Sequence, residues 1–439
     1  MTWLLARPRT RDRSVVLLPL LSFAVLTALV LAALGIVLSF WQWTNSMAFA
    51  QQALGVFALA MLAVPLLSFG AAAARLSARR REDRMSSLRL LGATPATVIR
   101  MTVLETTVLA VAGALMGSVL YTLMLPLIDL LHFGGLPLGA PAAWVGFPVL
   151  VGVVVGVAIL AAVSAGASLR AVNVTPLGVR TRQRPATSHR KRAVVGAGIA
   201  LLTLGALAVP GGAIGIGIIA VGIIAVVLLM GVVNMVGPFA ISVLGRIALR
   251  TARTPHHLIA ARGILEAPTI AWRQVSGIAM MSFVSVIAGT VLALADTVWK
   301  SSVGVDTLTL IADARTGMFL VLGASFAMVA CSVIVNQVSE AIDRRELSVS
   351  LDRLGMPHRT MEQARVRATL LPLGWVTFGS AIVAAAVAFP LTGAVAFTTP
   401  LSLLVICCSL AAGITLVWLS LRITRPMVAR AMSAHLTDR

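Results

Sequence analysis

Side chains that could carry hydrolytic, redox or metal chemistry are few in this chain, and none stands in an arrangement that such chemistry needs. Lysine occurs twice, as Lys191 and Lys300. Neither closes a glycine-rich run followed by Ser or Thr, the arrangement whose backbone amides and ammonium group cradle nucleotide phosphates. Cys331, Cys407 and Cys408 lie inside long apolar runs, so neither a disulfide framework nor a thiolate metal site is indicated. His256-His257 sits in a basic stretch with no adjoining cysteine or carboxylate cluster and reads as part of a solvated loop rather than a metal site. No catalytic residue, metal ligand or cofactor on this chain is expected. What recurs instead is a charged segment. Arg80-Arg81-Glu82-Asp83 runs to Leu88-Arg89-Leu90-Leu91-Gly92, and Arg344-Arg345-Glu346 runs to Leu351-Asp352-Arg353-Leu354-Gly355, each between two long apolar stretches. Two membrane-flanked copies of one charged device suggest a duplicated machine that docks the same kind of soluble partner twice.

The elements that must position these segments follow from composition. Hydrophobic residues make up 59% of the chain, charged residues 11%, and mean hydropathy is +0.98, whereas soluble domains carry roughly 25% charged residues. The class is a polytopic, all-α membrane protein. A formal net charge of +20 does not point to nucleic acid, because the arginines fall in short stretches between apolar runs rather than on one soluble face. They act as topology determinants.

Apolar runs long enough for a hydrocarbon core, which takes about 20 residues, fall near 15–41, 50–75, 102–128, 143–169, 193–209, 213–245, 274–299, 315–338, 368–391 and 396–422. They predict about ten transmembrane helices. The fifth is short and ends at Pro210-Gly211-Gly212, a tight turn between antiparallel helices. Connecting stretches alternate in charge. The N-terminus, with Arg7, Arg9, Arg11 and Arg13, is basic, as are 75–100, 170–192, 246–273, 339–367 and the tail. The stretches 42–49, 129–142, 210–212, 300–314 and 392–395 hold Lys300 as their sole Lys or Arg. The positive-inside rule then places both termini in the cytoplasm of a multi-pass cell-membrane protein. The first apolar run reads as a retained helix rather than a signal peptide.

Aligning Leu91-Gly92 with Leu354-Gly355 also sets Leu88 on Leu351, Ser87 on Ser350, Asp83 on Glu346 and Arg81 on Arg344. Spans one to four then match spans seven to ten in order and orientation, a parallel duplication. The expected division is a first four-helix unit over 1–185 with its charged segment at 76–100, a central two-helix insert over 186–250, and a second unit over 251–439 with its segment at 339–367.

These residues resemble the FtsX-like, or MacB-type, permeases, the membrane subunits of type VII ABC transporters. The likeness rests on Arg80 to Asp83 with Leu88-Arg89-Leu90-Leu91-Gly92-Ala93-Thr94, then Arg100 and Glu105 leading into a helix with Gly113 and Gly117, and on Arg170, Pro176-Leu177 and Arg180 after span four. The second copy departs from it, with Met356-Pro357 after the glycine and Ala368 where the first has Glu105. The resemblance implies that the two segments are coupling helices seated on a cytoplasmic ABC ATPase, with two copies per permease chain and ATP and magnesium bound there. Their own chemistry agrees: Arg and Glu on one side, with Leu88, Leu91 and Leu351, Leu354 at helical spacing on the other, make an amphipathic surface helix. Gly92 and Gly355 suit its left-handed C-cap.

Ionisable residues within spans are the default marks of a transport path. Here they are sparse: Glu105 and Asp296 near span ends, with Asn234 and Asn336-Gln337 as polar company. A proton-driven carrier would need a chain of carboxylates that this sequence lacks. Gly113, Gly117, Gly152 and Gly156 suit close helix packing. The outer loops 42–49 and 300–314 are too short to grip a large soluble partner, which favours a substrate reached laterally from the bilayer, such as a lipid, lipopeptide, hydrophobic drug or membrane-active peptide. Asp306, Asp313 and Arg315 form the charged cluster on that side and are candidate substrate or partner contacts. The leading expectation is the permease subunit of an ATP-driven exporter. The alternative is a mechanotransmission or sensor module that regulates an extracellular partner without moving solute.

Overall fold

The computed structural model describes residues 13–44, 48–79, 95–170, 194–196, 198–199, 216–300, 305–343, 358–392 and 400–433. Ten helices of a dozen residues or more run through them: α1 (Arg13–Ser39), α2 (Ala48–Arg79), α3 (Pro95–Asp129), α4 (Gly146–Arg170), α5 (Ile216–Arg250), α6 (Pro255–Glu266), α7 (Pro268–Lys300), α8 (Val305–Asp343), α9 (His358–Thr392) and α10 (Pro400–Ser433). Eight are long and apolar enough to cross a membrane, and α10 carries a shorter apolar stretch, Leu403–Leu419. This is an all-α polytopic membrane protein, as backbone hydrogen bonding in hydrocarbon requires. Most of the expected fifth span, 193–209, lies outside the described residues. Pro19, Pro65, Pro126 and Pro238 sit inside spanning helices, where neighbouring helices and local adjustments satisfy the freed carbonyls.

Three connections differ from expectation. The stretch 300–314 is largely helical, because α8 begins at Val305. Its polar residues lower the hydropathy without breaking the helix, and among them Asp313 is hydrogen-bonded across the unit. The basic stretch 246–273 holds the separate helix α6, started by Thr254 in extended backbone and Pro255 in the first turn. Its buried face is Ala260, Ala261 and Ile264. The stretch 129–142 contains a hairpin, β1 (His132–Phe133) and β2 (Leu136–Pro137). Gly134 and Gly135 form its two-residue turn at φ 63° and 77°, and positive φ at both positions is what a type I′ turn demands.

The chain forms two compact units. The first holds α1, the part of α2 beyond Pro65, α3 and α4. Its main packing is α1 against α3, where glycine lets the backbones meet. A Cβ on Gly113 would stand 2.7 Å from the Leu20 carbonyl oxygen, and one on Gly117 would run into the Ala24 carbonyl. On α4, Val157, Ala161 and Ala165 face inward, while Phe147, Val151, Val155, Ile159 and Val163 are exposed at four-residue spacing, a lipid-facing stripe. Gly152 and Gly156 are exposed, with nothing among the described residues within 4 Å of a Cβ. Among the described residues they pack against no helix.

The second unit holds Trp43–Pro65, His132–Leu136 and the chain from Gln183 onward. Its centre is α7, of whose apolar span 89% is buried, packed by α5, α8, α9 and α10. The largest of those contacts is with α9. Asn234 of α5 accepts a hydrogen bond from Trp272 Nε1 of α7 at 2.8 Å, and Gly237 leaves room for that indole.

Candidate functional site

Each charged segment lies between two long helices. The first joins α2, which ends at Arg79, to α3, which starts at Pro95. The second joins α8, ending at Asp343, to α9, starting at His358. Arg80, Arg81, Glu82, Asp83, Leu88, Leu91, Gly92, Arg344, Arg345, Glu346, Leu351, Leu354 and Gly355 themselves lie outside the described residues.

At the opposite end of the helices the second unit gathers a polar cluster from three distant parts of the chain. Asp313, on α8, is buried at 5% exposure. Its Oδ2 accepts from Gln51 Nε2 at 2.7 Å and its Oδ1 from the Gly134 amide at 2.7 Å. Gln51, on α2, is 2% exposed. Its Oε1 is buried and meets no hydrogen-bond donor among the described residues. Trp43 completes the cluster: a Cβ on Gly134 would lie 3.2 Å from the indole Cζ3 and 3.9 Å from Gln51 Nε2. The type I′ turn matters here, since its positive φ at Gly134 is compatible with turning the amide onto the carboxylate.

Of the three charged residues singled out on this side, Asp313 is thus a buried acceptor on a helix. Arg315 is half-buried on the same helix, and Asp306 belongs to α8 with its side chain outside the described set. Sequence reading missed Gln51, Gly134 and Trp43. A polar Gln51-Gln52 pair opening an apolar helix, and a Gly-Gly turn signal, were the available hints.

Two of the remaining polar candidates have structural roles. Asn234 holds Trp272. Asn336 donates to the Arg273 carbonyl at 3.0 Å, tying α8 to α7. Glu105 is exposed on α3. Asp296 lies on α7, its side chain outside the described residues. His256 and His257, expected in a loop, open α6 instead. His257 is half-buried, its Nε2 without a partner among the described residues. Burial first, then the charges of Arg367 and His256, hold its pKa below the ordinary histidine value. Among the described residues no group of three or more His, Cys, Asp or Glu is placed to hold a metal ion.

Residues 55–176 match the family described as FtsX-like permease C-terminal. The chain carries an FtsX-like permease domain. That domain runs from Gly55 in α2 through the first charged segment, α3, the hairpin and α4, and ends at Pro176, inside the Arg170 to Arg180 pattern. No curated protein matches the chain. Together with the apolar spans, this match supports a membrane permease component of an ABC-type system.

Proposed function

We propose that this chain supplies both transmembrane halves of an ATP-driven ABC exporter and pairs with two copies of a separate cytoplasmic ATPase, which bind ATP and magnesium. The observation that carries this reading is the recurrence of one charged, leucine-bearing segment at the same place: between α2 and α3, and again between α8 and α9. The dominant packing supports a duplicated unit, since first helix meets third in each copy, α1 with α3 and α7 with α9. Arg80 to Asp83 and Arg344 to Glu346 are the ATPase-facing residues, with Leu88, Leu91, Leu351 and Leu354 holding each segment to the membrane surface and Gly92 and Gly355 ending it. ATP-driven closure of the ATPase pair draws the two segments together, and the packed helices carry the motion across the bilayer as rigid bodies. Both termini, with the arginine-rich connections, are cytoplasmic. The substrate is lipophilic or membrane-active and enters from the bilayer, because the connections at the other end are short.

The test is co-expression with the ATPase encoded beside the chain, followed by Glu82→Lys, Asp83→Lys and Glu346→Lys together. A complex with two ATPases per permease and stimulated ATP hydrolysis, both lost on charge reversal, is the expected result. A wild-type chain that recruits no ATPase refutes the reading. A complex that hydrolyses ATP without moving any amphiphile in proteoliposomes would shift it to the mechanotransmission alternative.

A further inference from the structure

The Asp313 cluster contains more acceptor capacity than the described residues use. A carboxylate offers about four lone-pair directions, and Gln51 and Gly134 occupy one on each oxygen. Gln51 Oε1 is a further buried acceptor with no donor among the described residues. With Asp313 ionised this orphan is enforced, since turning the amide over would set Oε1 against the carboxylate, acceptor against acceptor. No basic side chain among the described residues is hydrogen-bonded or ion-paired to Asp313, although a buried carboxylate is costly without a positive partner.

What would complete the cluster is therefore a group that is cationic and rich in N–H donors. An anion is excluded by the carboxylate. A calcium ion wants six to eight oxygen ligands, and the cluster offers three side-chain oxygens. Water brings donors but no charge. A primary ammonium carries three N–H donors and one positive charge, and the Trp43 ring stands beside Gly134, an aromatic neighbour of the kind that attracts cations. We propose that Asp313, Gln51 and Trp43 form a binding site for a primary ammonium group.

Asp313 lies eight residues into α8 and five into its apolar span, which begins at Leu308, so it is about 8 Å below the span's edge. Asp313 and Gln51 are 5% and 2% exposed, so an amine, lipid-borne or soluble, enters by displacing the side chains that cover them. This goes beyond the exporter reading and needs no ATPase, so binding is measured on the permease alone and its failure is distinct from a failure to recruit the partner.

The full chain in phosphatidylglycerol nanodiscs is titrated with phosphatidylethanolamine and, separately, phosphatidylcholine of the same acyl chains, with bound lipid read by native mass spectrometry. The two headgroups carry the same charge, but only the first has N–H donors. The expected result is a preference for the ethanolamine lipid of at least about tenfold, the factor that charge-assisted hydrogen bonds supply. Asp313→Asn should abolish it and Gln51→Met reduce it several-fold. Competition by millimolar ethanolamine would assign recognition to the ammonium alone, and its failure would assign it to the lipid-borne group. Equal binding of both lipids by the wild type, a result that needs no variant to fold, overturns the inference, as does a preference that survives in Asp313→Asn.

Discussion

Gly117→Ala is the sharpest test of how the first unit is held together. The added methyl would sit against the Ala24 carbonyl, with Thr27 Cβ at 2.8 Å and the Ala24 carbonyl carbon at 3.1 Å. Non-bonded carbons settle at about 3.5–4.0 Å, so α1 and α3 must separate by about 1 Å. The obstacle is backbone, which cannot rotate away, and this places the cost near the upper end of the overpacking range, about 3 kcal/mol. Replacing a helical glycine returns about 1 kcal/mol, leaving a net loss of about 2 kcal/mol. By the scaling of domains of about 150–250 residues, that is about 4–8 °C in apparent Tm. Gly152→Ala is the matched control, since nothing among the described residues lies within 4 Å of its Cβ; it should leave Tm unchanged or slightly raised. Both are measured by thermal unfolding in detergent at one scan rate, because membrane proteins of this size unfold irreversibly. Gly113→Ala meets the Leu20 carbonyl oxygen and Phe23 Cβ, both at 2.7 Å. Once one alanine has opened the seam the second should cost less, so the double variant falls short of the sum. Indistinguishable Tm values for Gly117→Ala and Gly152→Ala would refute the close α1–α3 approach.

Trp272→Phe removes the donor of a part-buried hydrogen bond to Asn234, whose side chain is otherwise exposed, and should cost about 0.5–1.5 kcal/mol. Asn234→Leu in the same chain should recover part of it, as a double-mutant cycle by thermal unfolding would show. His257 has a depressed pKa in the folded chain, so the unfolded chain binds its proton first as pH falls. Its contribution to stability is therefore full above the unfolded value of about 6.5 and is lost as pH drops through the folded value. His257→Gln should flatten Tm against pH across that window, and an unaltered slope would count against the burial of Nε2. Reversal of Glu82, Asp83 and Glu346 should abolish ATPase recruitment while leaving Tm unchanged, which separates a docking role from a folding one.

The membrane class, the order of the spans and the FtsX-like segment were legible because each rests on local signals. A run of about 20 apolar residues must be a helix in lipid whatever surrounds it, and Arg-rich connections mark one side one stretch at a time. The family match over 55–176 contains the motif read from Arg80 to Gly92 and ends within the one read from Arg170 to Arg180. Boundaries were less legible where polar residues enter a helix. Residues 305–314 read as a loop because Asp306, Thr307, Thr309 and Asp313 lower the local hydropathy, and 255–266 because Arg262, His256 and His257 do.

Glycine shows the same division. Gly113 and Gly117, and Gly152 and Gly156, have one spacing and one helical context, yet the first pair is packed on α1 and the second faces outward. Spacing puts two glycines on one helix face; which face meets a neighbour depends on the whole bundle. The sequence by itself determined that this is a polytopic membrane chain with a repeated charged segment and an FtsX-like stretch, because hydropathy and motif are properties of contiguous residues. Only the tertiary structure decided what Asp313 does. Its partners stand 262 and 179 positions away in the chain, and a buried charge takes its role from whatever the fold brings against it.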